Sequence, residues 1–280
     1  MTLAALDPWI FVTIAAAAFQ TIRFMLQKVL AQATLSAGGA TFARFVYSLP
    51  FIVLLLAIYL GIGNVDFPVI SPIFWAFGLL GAVTQIVATV CVVLLFKERN
   101  FGVGMTFKYT DGFHTVLVGW LLLGEGVTGL GFAAIAVGII GLLLLSSGPE
   151  AQGFSLAHVT NRAAGLGIAS GILFAFSAVS YRGATFAVAS DDAFLRALVT
   201  LAAVVMMQTI VMAVWLRLRD PGEIASVWQA RRVAVWIGLT SMGGSLCWFI
   251  AFALQNAAYV KALGQVELIL SIAVSTLFFR

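Results

Sequence analysis

Apolar residues run in blocks of about 20, separated by short polar breaks, along most of this 280-residue chain. A hydrocarbon core about 30 Å thick is crossed by about 20 apolar residues in helical form. The blocks lack the strict alternation of a membrane barrel strand, so they predict helices. The predicted spans are 9–31, 38–61, 71–96, 102–123, 127–147, 164–188, 193–216, 233–254 and 262–279. Glycine, proline and charge mark the breaks: GIGNVDFP, KERN, GEGVTG, SSGPEAQGFS, SDD and RLRDPGE. The expected fold is an all-α integral membrane protein, a polytopic bundle with nine helices. Its longest break, Ser146 to Arg162, divides the chain into a first half, residues 1–147, and a second half, residues 148–280.

Composition strengthens that picture. Charged residues make up 9% of the chain and hydrophobic ones 62%, against about 25% charged in soluble domains, and the mean hydropathy is +1.09. The partner implied is the lipid bilayer. A net charge of +4 would point to nucleic acid if it were gathered in one patch, but the basic residues are dispersed among the breaks and serve as topology signals. Lys28, Arg44, Lys97, Arg99, Arg162, Arg217, Arg219, Arg231, Arg232 and Arg280 flank one side. Asp7, Asp66, Glu125, Asp191 and Asp192 flank the other, with Arg182, Arg196 and Lys261 as its exceptions. The positive-inside rule then places the N terminus outside the cytoplasm of a bacterial-type inner membrane. Met1 to Asp7 lack the basic start of a secretory signal, so the first span is expected to be retained. Cys91 and Cys247 lie singly in apolar runs and read as packing residues; no metal or cofactor is implied.

Ionisable groups inside the spans are the candidate chemistry, because burying them in hydrocarbon is costly. Gly102 to Glu125 carries Lys108, Asp111 and His114 on what would be one face of a continuous helix. Lys108 and Asp111, one turn apart, are expected to neutralise each other, either as a packing pair or as members of a site. Glu267 has no Lys or Arg one turn away and is the carboxylate most in need of a proton, a water or a ligand. Asp111, His114 and Glu267 are the proton-coupling candidates.

Polar stripes accompany these groups. They comprise Gln20, Arg23 and Gln27 in the first span, Gln85 and Thr89 in the third, Ser170, Ser177 and Tyr181 in the sixth, and Ser241, Ser245 and Trp248 in the eighth. Interhelical hydrogen bonds explain any one stripe; stripes in both halves point to a shared central cavity, beside which Tyr109 and Trp248 would offer flat surfaces.

Several motifs resemble those of the drug/metabolite transporter superfamily, a ten-helix type built from two five-helix repeats. They are WLLLGE ending at Glu125, the glycines Gly131, Gly138 and Gly141 that follow, Arg44 and Arg196 opening the second helix of each half, and FALQNAAYVKALGQVE. Bacterial aromatic amino-acid exporters are the closest in appearance. The resemblance implies an inverted five-plus-five repeat in which Asp111 and Glu267 occupy equivalent places, with a tenth helix beyond those present here. Inversion also accounts for Arg182 and Arg196 on the acidic side. Family members often carry a proline in the fourth helix of each repeat, where this chain has Gly112 and Leu268, so no kink is expected from that source.

The function expected is secondary transport, exporting small amphipathic metabolites, aromatic or hydrophobic amino acids first, by alternating access across the inner membrane. Sugar derivatives, purines and toxic cations are the alternative cargoes. The expected substrate contacts are Gln20, Arg23, Gln85, Thr89, Lys108, Tyr109, Asp111, Ser177, Tyr181, Ser245, Trp248 and Glu267. The chain has no GxSxG, HExxH or GxxxxGK[ST] sequence, and it is read as neither an enzyme nor an ATP-driven pump.

Overall fold

The computed structural model describes residues 7–33, 35–98, 107–146 and 162–270. Ten named helices lie among them: α1 (Pro8–Ala33), α2 (Ala37–Gly63), α3 (Ile73–Leu95), α4 (Asp111–Leu123), α5 (Gly129–Ser146), α6 (Arg162–Phe186), α7 (Ala193–Arg219), α8 (Pro221–Gln229), α9 (Arg231–Leu254) and α10 (Ala257–Gly264). Six of them, α1, α2, α3, α6, α7 and α9, are long and apolar enough to cross a membrane. Helices suit that setting because each satisfies its backbone N–H and C=O groups internally.

Local chemistry sets the helix ends. Ser36 caps α2 by accepting from the Gly39 N–H, Asp192 caps α7 by accepting from Phe194, and Asn256 caps α10 by accepting from Ala258. Gly124 closes α4 in the left-handed region at φ 66°, where a residue without Cβ is unstrained.

Three elements depart from the sequence expectation. Residues 107–108 belong to a helical turn that breaks at Tyr109 and Thr110 before α4 begins, so the fourth span is discontinuous; 102–106 lie outside the described residues. The ninth span is also divided: α10 starts five residues early, a turn falls at Gln265, and helix resumes over 266–270, beyond which the span is not described. Finally, RLRDPGE does not form a simple loop. Pro221 starts the short helix α8, which buries Val227 and Glu223 and exposes Trp228.

The two halves pack reciprocally. The third helix of the first half, α3, lies along the first helix of the second, α6; α1 lies along α9, the third long helix of the second half; and α2 packs on α7. In hydrocarbon such contacts depend on van der Waals fit and interhelical hydrogen bonds, which favours small residues where backbones approach. Gly238 of α9 is such a place: a Cβ there would lie 2.5 Å from the Tyr47 Cβ and 2.6 Å from its carbonyl carbon on α2.

Polar contacts tie the halves together at both ends of the bundle. At one end Arg182 Nε meets Glu125 at 2.7 Å, the Tyr59 hydroxyl donates to Asp192, and Ile70 forms an isolated antiparallel bridge with Val188. At the other, Glu223 Oε1 accepts from the Ser36 N–H at 2.6 Å and the Tyr47 hydroxyl donates to the Val227 carbonyl.

Gly238→Ala should therefore cost about 1–3 kcal/mol through overpacking. Gly61→Ala, on an open stretch of α2 with nothing within 4 Å, should be neutral or slightly stabilising. Thermal unfolding of the two variants in detergent checks the contrast.

Candidate functional site

Both helix breaks lie against each other. At the first, Thr110 Oγ1 donates to the Phe107 carbonyl at 2.6 Å; at the second, the Leu268 N–H donates to the Gln265 carbonyl at 3.0 Å. Gln265 Nε2 then reaches across to the Tyr109 carbonyl at 3.3 Å, so a side chain at one break serves a backbone group left open at the other. Glycine permits the approach. A Cβ on Gly171 of α6 would lie 3.1 Å from the Lys108 carbonyl oxygen, and one on Gly264 would lie 2.4 Å from the Trp248 ring.

This crossing rearranges the charges expected from the sequence. Lys108 Nζ lies 3.1 Å from Glu267 Oε2, and Lys261 Nζ lies 2.5 Å from Asp111 Oδ2. Lys108 does not form its ion pair with Asp111, and Glu267 is not a carboxylate without a cation. The i, i+3 pairing required one continuous helix, and the turn at 109–110 removes that geometry. Each half instead contributes one lysine and one carboxylate to a pair of crossing bridges. All four side chains have at most 10% of their surface exposed.

Glu267 Oε2 also accepts from Gln20 Nε2 at 2.6 Å, and Gln20 Oε1 accepts from the Trp248 indole N–H at 3.1 Å. The second carboxylate oxygen, Glu267 Oε1, is buried and has no hydrogen-bond partner among the described residues. Lys108 Nζ stands 4.0 Å from the centre of the Tyr109 ring and Lys261 Nζ 5.0 Å from that of Trp248, so aromatic faces share the cationic charge.

Two more polar groups surround this centre. The Tyr181 hydroxyl lies between the Gly81 carbonyl at 2.9 Å and the Gln85 side-chain oxygen, accepts from Gln208 Nε2 at 3.1 Å, and its ring stacks on Phe249. Arg44 donates to Ser241 at 2.8 Å, Thr89 at 3.0 Å and Ser245 at 3.4 Å, while Arg23 Nη1 donates to Gln27 at 2.9 Å.

Gln20, Gln85, Lys108, Ser177, Tyr181, Ser245 and Trp248 from the expected set line one central cavity, together with Lys261, Phe174, Phe249 and Phe252. Its volume of about 30 Å³ holds about two waters. Asp111 and Glu267 join it through their lysine partners. Arg23, Thr89 and Tyr109 are buried but do not line it. His114 lies elsewhere: its Nδ1 is 3.0 Å from the Thr110 carbonyl, and its ring faces an apolar crevice with Phe113, Ile139 and Ile168. Lys261 and Arg44, read from sequence only as orientation and repeat signals, belong to the buried polar interior. Their position within or directly beside apolar spans was the signal for it. Gln208 left a weaker trace, as a single amide in an otherwise apolar helix.

No family model matches the sequence, and no curated protein matches it. A solved structure described only as "Crystal structure of protein" aligns with a TM-score of 0.67 over 96% of this chain and 89% of that chain, at 14% identity. The likeness is one of fold, and the chemistry rests on the residues themselves.

A double-mutant cycle tests the crossing arrangement. Lys108→Met and Glu267→Gln should each cost about 3–5 kcal/mol, because each strands a buried charge, and the double variant should lose clearly less than the sum. Lys108→Met with Asp111→Asn should come closer to additivity. Thermal unfolding of the single and double variants reads the difference.

Proposed function

We propose that this protein is a secondary transporter that moves small amphipathic metabolites across the membrane by alternating access. The observation that carries the reading is the meeting of two broken helices, one from each half, around crossing ion pairs beside a central cavity. Broken helices with charged groups at the point where two halves meet are how carriers make a polar site at membrane depth. The reciprocal packing of α3 on α6 and α1 on α9 supports an inverted repeat, with the two halves as the bodies that rock.

The central cavity, at about 30 Å³, is too small for a metabolite in this form, and polar contacts join the halves towards both ends. Releasing Glu125 from Arg182 would open one end; releasing Glu223 from Ser36 would open the other. The central bridges suit such a change because a substrate carboxylate can take over the lysine while the substrate ammonium takes over the resident carboxylate, so that neither is left bare.

Amino acids are the first candidate cargo, leaving through a bacterial-type inner membrane with the N terminus outside. Lys108 offers a cation for the substrate carboxylate, Glu267 Oε1 an acceptor for its ammonium group, and Trp248, Phe249 and Phe252 an apolar wall. A toxic cation fits less well, since it would have to displace Lys108 or Lys261 from Glu267 or Asp111. Protonation of Glu267 or Asp111 would break a bridge, and this is the step through which a proton gradient could drive exchange.

Efflux from substrate-loaded proteoliposomes tests the reading. Amino-acid efflux above that of empty vesicles is expected, accelerated by an imposed pH gradient, with Glu267→Gln and Asp111→Asn abolishing the gradient response. Efflux no faster than from empty vesicles across amino acids, nucleobases, sugars and small organic anions would remove the transporter assignment, and a null with amino acids alone would remove the first candidate cargo. Gradient-independent efflux in the wild type would leave a facilitator.

A further inference from the structure

Charge does not balance inside the bundle. Arg23, Arg44, Lys108 and Lys261 are buried or nearly so, and the carboxylates among them are Asp111 and Glu267. Both carboxylates are already engaged by lysines. The other described acids sit at helix ends or in breaks: Glu125 on Arg182, Glu98 on Arg162, Asp192 with Tyr59, Glu223 on Ser36, and Asp7, Asp66, Asp191 and Asp220 exposed. The remaining acid of the sequence, Glu150, lies in the break between the two halves. Two arginines are thus held at membrane depth with no carboxylate in contact among the described residues.

Their hydrogen bonds leave capacity to spare. A guanidinium has five N–H donors and keeps its charge at any physiological pH. Arg23 makes one hydrogen bond among the described residues, to the neutral Gln27, and rests 4.2 Å from the centre of the Phe24 ring. Arg44 makes three, all to hydroxyls, and the longest, 3.4 Å to Ser245, is the one on the cavity side. Gln27, which accepts from Arg23, donates in turn from Nε2 to the Ala40 carbonyl of α2 at 3.1 Å, one turn before Arg44, so the two arginines stand on helices joined at this level. Arg23 also lies one helical turn after Gln20, a lining residue of the cavity.

We propose that Arg23 and Arg44 form an anion subsite reached from the central cavity past Ser245 and Gln20, and that the solute carried has net negative charge, presenting a carboxylate or phosphoryl group to the two guanidiniums. The claim about a carried solute rests on the transporter reading. A forked guanidinium matches either oxyanion through paired N–H donors. Two such groups without a resident counter-ion favour an organic anion over a zwitterion, whose charges cancel and leave the excess in place. This narrows the amino-acid candidates to those with an extra acid group and admits phosphate monoesters beside them.

The test uses the full chain in detergent with sodium succinate and sodium glycerol phosphate as probes, leucine as the zwitterion, and sodium chloride at matched ionic strength. A saturable rise in thermal midpoint is expected with at least one of the two anions and not with leucine. The stronger of the two tells a dicarboxylate site from a phosphoryl site. Arg23→Gln and Arg44→Gln should each weaken that response about tenfold or more. Without anion, Arg23→Gln should melt no lower than wild type, since it removes an uncompensated buried charge, whereas an arginine serving only as packing would leave a destabilised protein. If Arg44→Gln does not fold, Arg44→Lys, which keeps the charge and loses the fork, replaces it. No saturable response to either anion, an equal response to leucine, or a response unchanged in both arginine variants would overturn the subsite. Counterflow in proteoliposomes separates this from the transporter reading. Anion binding without any transport would leave the subsite and remove the carrier, and leucine exchange without anion binding would do the reverse.

Discussion

A charge buried in hydrocarbon must meet an opposite charge or a full set of hydrogen bonds, and this constraint organises the interior of the protein. Lys108 and Glu267, and Lys261 and Asp111, meet it by crossing between the two halves of the chain. Separating the halves would strand four charges at once. In the proposed transport cycle the bridges mark the level about which the two ends open and close, and substrate or a proton releases one bridge at a time. Because each bridge takes one partner from each half, neither half is satisfied alone.

The helix breaks make this arrangement possible. An unbroken fourth helix would put Lys108 and Asp111 on one side of one rod, free to pair with each other and indifferent to the other half. The turn at Tyr109 and Thr110 intervenes between them, whereas Lys261 and Glu267, six positions apart, would not share a turn of a continuous helix. No proline is needed at either place. Gly264 and Gly171 let Trp248 and the backbone of the first break approach closely, and Gln265 donates to the buried Tyr109 carbonyl. Backbone groups at the breaks are met by local bonds and by a side chain from the other break, which is the condition for irregular backbone at membrane depth.

The polar stripes in the first, third, sixth and eighth predicted spans were legible because a polar residue in an apolar run stands out against its neighbours, and seven of the residues named from them and from the fourth span line the cavity. Lys261 and Arg44 were visible in the same way but were read as membrane-orientation signals, since a basic residue near the end of a span serves either purpose. Helix α8 was hidden because its amphipathic nine residues follow Arg219 and Asp220 and begin at Pro221, a run that also spells a loop. His114 follows Asp111 by one turn of α4 but faces the apolar crevice beside Phe113, whereas Asp111 is engaged by Lys261.

Hydrophobic block length by itself determined that the chain is helical and built for a bilayer, and it located the six long spans to within about three residues at each end, because the thickness of hydrocarbon dictates length and composition before any packing occurs. The sequence also determined which groups would be expensive to bury. Only the tertiary structure decided how that cost is met. Ion-pair partners as far apart in the chain as Lys108 and Glu267, separated by 159 positions, are selected by which backbones can approach closely, and that depends on small residues and helix breaks acting together across the bundle. The same packing leaves Arg23 and Arg44 with neutral hydrogen-bond partners, a fact that no reading of either residue within its own helix contains.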